Sequence, residues 1–74
     1  MKFKQEVIFT NHAMERMLRR GVFQEEVIST IFFPAKSFKR HDKSYFQKDL
    51  GRGWIEVCCE KTKRVIKVIT IYWI

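Results

Sequence analysis

A chain of 74 residues with a formal charge of +7 and a pI near 9.8 reads as one small basic domain, residues 1–74, with no room for a second core. Its 46% hydrophobic and 15% aromatic content excludes a disordered chain, which would be poor in aromatic and β-branched residues. The charge speaks of partners rather than fold: nucleic acid, an acidic protein or an anionic surface.

Phe3 to Phe9 reads as a short lead-in. Thr10 is a good N-cap for a first helix, with Phe9 and Met14 at the two positions of a hydrophobic staple. Ala13, Met14, Met17 and Leu18 recur at helical spacing and predict one buried stripe. Gly21 follows as the helix stop, with Arg19 and Arg20 matching the dipole of the last turn. A second helix starts near Phe23, with Glu25 and Glu26 in its first turn. Val27, Ile28, Ile31 and Phe32 form its expected buried stripe, and Pro34 ends it.

After Pro34 the period changes to two. Ser37–His41 and Ser44–Leu50 read as strands, with Asp42–Lys43 as a turn between them. Gly51-Arg52-Gly53 is a loop, and Trp54–Glu60 alternates with Ile55, Val57 and Cys59 on one side. Arg64–Trp73 is apolar on both sides, as a central strand would be. The expected fold is α+β: two N-terminal helices packed on a four-stranded antiparallel sheet, in the order α-α-β-β-β-β.

Charge is uneven along this order. Residues 1–34 hold five Lys/Arg against four Asp/Glu, whereas residues 35–74 hold ten against four, so +6 of the +7 falls on the predicted sheet and its turns. Neither MKFKQEVIF nor IKVITIYWI is apolar and long enough for a signal peptide or for a membrane helix of ~20 residues. Cys58 and Cys59 are neighbours, so on a strand they point to opposite faces. They build neither a disulfide framework nor a metal pair, and free thiols fit a reducing, cytoplasmic setting. No zinc spacing, phosphate loop or Ser/His/Asp set is present, so neither metal nor cofactor is expected.

On the first helix, His12, Arg16 and Arg20 form an i, i+4, i+8 row. The positive end of the dipole disfavours an imidazolium in the first turn. A neutral imidazole beside guanidinium groups can accept a proton from a hydroxyl while the arginines hold a phosphate. The same spacing also fits a solvated basic face. Arg52, between two glycines, suits bidentate phosphate contact or a plain hairpin loop. His41 sits in a basic turn and is either surface or a second acid/base. Thr70 and Tyr72 share the strand phase of Ile66 and Val68, which makes core packing their default. Glu56 and Glu60 can orient a histidine or form surface ion pairs.

The string HAMERMLRRGV resembles the H-A-x-x-R-x-x-x-R-G opening of the domain-of-unknown-function family 4258. FFP at 32–34, GRGW at 51–54 and VITIYW at 68–73 extend the likeness from about Phe9 to Trp73. Phe23 departs from it, standing where the family often has Ser or Thr. The family is grouped with the barnase–EndoU–colicin–RelE type of small ribonucleases and resembles type II toxin–antitoxin toxins. The resemblance therefore implies a RelE/barnase-like fold and metal-independent RNA cleavage through the substrate's own 2′-hydroxyl. His12, Arg16 and Arg20 would be catalytic, and Arg52, His41, Thr70 and Tyr72 would bind substrate. His12, Arg16 and Arg20 should then share an exposed cleft with Arg52 or with the end of the last strand. The expected partners are RNA and an acidic antitoxin covering the basic face. A non-catalytic RNA- or protein-binding module would use the same surface.

Overall fold

The computed structural model describes residues 5–74; Phe3 and Lys4, at the start of the predicted lead-in, lie outside the described residues. The elements are β1 (Glu6–Phe9), α1 (Asn11–Arg20), α2 (Gln24–Phe32), β2 (Lys36–Arg40), β3 (Lys43–Asp49), β4 (Trp54–Lys61) and β5 (Val65–Trp73). Both helices form where their signals stand. Ala13 N–H donates to Thr10 Oγ1 at 3.0 Å, and Gly21 takes the left-handed conformation at φ 66°. Phe23 has no side-chain acceptor to offer as a cap. Its own N–H is instead taken by Glu26 Oε1 at 3.0 Å, half of a capping box.

The expected four-stranded antiparallel sheet of RelE/barnase type is corrected to five strands in mixed order, β1-β5-β4-β3-β2. The lead-in pairs parallel with β5, Glu6 opposite Val65 through Phe9 opposite Val68. This second pairing partner makes β5 an interior strand, but the middle of the sheet is β4, not β5 as its sequence suggested. The β2–β3 turn is also shifted by one residue. His41 and Asp42 occupy it with φ 51° and 64°, the pair of positive angles that a tight hairpin matching strand twist requires.

The core lies between the helices and one sheet face. Ala13 and Met17 of α1 and Val27 and Ile31 of α2 meet Phe46, Ile55, Val57, Cys59, Val68 and Ile71. The buried stripes are narrower than the spacing predicts: Met14, Leu18, Ile28 and Phe32 are exposed, and Thr30 is buried in their stead, its hydroxyl donating to Glu26 O at 2.7 Å. Leu18, 86% exposed, and Phe23, 68% exposed, border an apolar groove of about 410 Å³ between the end of α1 and the start of α2.

One irregularity sets the rest. Cys58 faces Thr70 while Cys59 faces Val68, so Ile69 is an extra residue, a β-bulge in β5. A bulge reverses the alternation of faces. Ile66 and Val68 point to the helices, and Thr70 and Tyr72 point to the opposite, open face. The expectation that all four share one side is corrected by that one residue.

Candidate functional site

Directly opposed residues on neighbouring strands share a face, so the register lays out the open side of the sheet. One cross-strand row reads Phe38, Tyr45, Cys58, Thr70; the next reads Lys36, Gln47, Glu56, Tyr72. Lys43, Glu60 and Lys67 form a third, joined by ion pairs of 2.9 Å (Lys43–Glu60) and 3.5 Å (Lys67–Glu60).

Alpha-helix 1 stands beside the half of β5 that β1 does not reach. Thr10 makes the join: its N–H donates to Val68 O at 3.2 Å and its hydroxyl to the carbonyl of the bulged Ile69 at 3.2 Å, while the same oxygen caps the helix. Two residues later His12 comes over Thr70, with Nε2 3.3 Å from Oγ1. Arg16, one turn on, donates from Nε to the same Nε2 at 3.4 Å, the long end of a hydrogen bond. An Nε2 that accepts from Arg16 carries the ring's lone pair, which puts the proton on Nδ1. The imidazole is exposed, at the rim of the open face.

Beside Thr70 lies a second polar group. Tyr72 hydroxyl donates to Glu56 Oε1, and Gln47 Nε2 donates to Glu56 Oε2 at 3.0 Å. Burial, then the adjacent Glu56, pushes the Tyr72 phenol up to about 12, so it remains a donor at neutral pH. Glu56 is only 7% exposed and makes no ion pair among the described residues, unlike Glu60. Its position within alternating WIEVCCE hides this, because β4 reads as one-sided until Tyr72 and Gln47 are known to cover it. Cys59, buried on the helix side, has its thiol pushed up to about 12 by burial and is chemically quiet.

Of the sequence-predicted residues, His12 and Arg16 meet Thr70, and Tyr72 lies on the same sheet face two residues on; no hydrogen bond or ion pair joins Arg20 or Arg52 to them among the described residues. Arg20 is the next member of the α1 row. Its carbonyl accepts from Trp73 Nε1 at 3.1 Å, and its Nε is buried without a hydrogen-bond partner. Arg52 is committed elsewhere. Its guanidinium grips Glu26 bidentately at 2.6 and 2.8 Å, donates to Gly21 O at 2.8 Å and lies 5.4 Å from the Trp73 ring centroid. That is the far end of α1, eight residues and about 12 Å from His12. His41 sits in the β2–β3 turn, with β4 between that hairpin and β5.

Among the described residues no His, Cys, Asp and Glu side chains group to hold a metal ion, and no helix is long and apolar enough to cross a membrane. Neither a curated protein nor a solved structure gives a significant match to the chain. A family model does match, over residues 9–73, which spans the α1 motif, the Gly51–Gly53 loop and the last strand; the chain belongs to the family described as domain of unknown function DUF4258.

Proposed function

We propose that this chain is a cytoplasmic RNA-cleaving domain of toxin type, working without a metal and restrained by an acidic antitoxin. The observation that carries the reading is the exposed His12 Nε2, its lone pair held between Thr70 and Arg16 at the edge of a basic sheet face. An RNA phosphate beside Arg16 puts the adjacent 2′-hydroxyl within reach of Nε2. The imidazole takes that proton as O2′ bonds to phosphorus. The P–O5′ bond breaks, the 5′ oxygen takes a proton from solvent, and a 2′,3′-cyclic phosphate remains. Arg16 meets the charge that builds on phosphorus, and the Thr70 hydroxyl supports it from the strand side. Arg20, two turns beyond His12 along α1, reaches the neighbouring RNA backbone, while Tyr72, its hydroxyl proton donated to Glu56, holds the strand-side polar group in place. The net +6 of residues 35–74 supports RNA as substrate and an acidic protein as partner. The exposed apolar groove at Leu18 and Phe23 supports a protein partner as well.

One observation favours a non-catalytic RNA-binding module instead: Nε2 is already engaged by Arg16 and Thr70. Cleavage separates the two readings. Purified protein should cut RNA in EDTA and leave cyclic phosphate ends, and His12→Ala should lose about a hundredfold or more. Full activity in His12→Ala removes His12 from the chemistry. Absence of cleavage with salt-dependent RNA binding retained leaves the binding module.

A further inference from the structure

The row that ends at His12 begins, on the opposite edge of the sheet, with two aromatic rings. Phe38 on β2 and Tyr45 on β3 are directly opposed and stacked, with ring centroids 5.1 Å apart and planes 9° from parallel. The guanidinium of Arg40 lies 5.6 Å from the Phe38 centroid, and Lys36 and Arg40 flank Phe38 on the same face. Beta-strand 2 is exposed along its whole length, and Phe38 is 39% exposed. A ring on the edge strand, stacked on a second ring of the next strand, flanked by cations and open to solvent, supplies the two components of a single-strand platform: a π-face for a base and positive charge for the backbone.

We propose that Phe38 and Tyr45 form a stacking subsite for a base of single-stranded RNA whose backbone crosses the open face toward His12. The inference rests on the RNA reading above. The row Phe38, Tyr45, Cys58, Thr70 runs straight across four strands, three spacings of about 4.8 Å or ~14 Å in all. One nucleotide does not bridge that interval. The stacked base therefore belongs to a nucleotide beyond the immediate neighbour of the one at His12, and RNA too short to span the face loses the contact.

The test uses short single-stranded RNA in which every 2′-hydroxyl is methylated, so that it binds without being cut, with 2-aminopurine moved through the sequence one position at a time. Wild-type protein should quench the probe at one end of the bound stretch. Phe38→Leu keeps apolar bulk at the sheet edge but has no π-face. It should abolish that quench and weaken binding about tenfold, the usual scale for one stacked base, with the salt dependence unchanged. Phe38→Trp should restore both. Wild-type quenching and affinity in Phe38→Leu overturn the subsite while leaving the RNA reading intact. A wild-type protein that binds no such RNA at low salt overturns both.

Discussion

The Arg52–Glu26 pair ties the Gly51–Gly53 loop to the first turn of α2, and breaking it has a pH signature. Arg52 first, and then the Phe23 N–H, hold the Glu26 carboxyl at about 2 instead of 4.5, against the opposing effect of burial. A carboxyl lowered that far is worth about 3 kcal/mol at most. The Arg52 side chain is 45% exposed, so solvent screening reduces this to ~1–2 kcal/mol. Because the folded-state value is depressed, the stabilisation is complete above the unfolded value near 4.5 and drains as pH falls toward 2. Glu26→Gln should therefore melt roughly 5–15 °C below wild type at pH 7, on the scale of 4–8 °C per kcal/mol for a domain of this size. The two melting curves should converge as the pH approaches about 2. Glu60, lowered by Lys43, titrates in both proteins and cancels in the difference. Circular dichroism melts across pH give the measurement, and a gap that stays constant through that window refutes the reasoning. Arg52→Gln should cost a similar amount, and the double variant little more than either. Arg52→Gln should also leave the salt slope of RNA binding unchanged. A fall of about one would return Arg52 to the phosphate contacts.

Two further substitutions probe the frame around the site. Thr10→Ala removes the α1 cap and the bond to Ile69 O; it should cost about 1 kcal/mol in denaturant unfolding and lower any nuclease activity by loosening His12 over Thr70. Gly53→Ala places a Cβ 3.1 Å from Trp73 Cε3 at a φ of +147°, and a loss of about 1–3 kcal/mol is expected; an unchanged melting temperature contradicts the strain.

Most of the helical half of the fold is legible in the residues. Thr10 and Gly21 carry their cap and stop chemistry locally, so the ends of α1 follow from sequence alone. Beta-strands 2 to 5 follow from the change of period after Pro34. What escapes is long-range. Glu6–Phe9 is four residues long, and nothing within it says that its partner lies some sixty positions away, in parallel. The width of the buried helix stripes also depends on the partner surface. Met14 and Leu18 have the spacing of core residues, yet they stay exposed and line the groove between the end of α1 and the start of α2. Arg52 carries the residue type and the glycine neighbours of a phosphate contact. Its partner Glu26 carries in sequence only the signature of a helix-dipole residue, and nothing in the spacing joins the two.

The bulge at Ile69 links fold and site. Without it, strict alternation would send Thr70 and Tyr72 into the helix-facing core with Ile66 and Val68, and the open face would lose both hydroxyls. With it, Ile69 turns its carbonyl to Thr10, and Thr10 starts the helix that carries His12. The inserted residue thus aims the strand side chains outward and fixes the helix that meets them. Beta-strand 1 contributes by ending at Phe9, level with Val68. One more pair of ladder residues would occupy the edge of β5 where α1 now stands. The polar cluster of His12, Arg16, Thr70 and Tyr72 is therefore a consequence of where a short parallel strand stops and where its neighbour bulges, two backbone events that no single side chain announces.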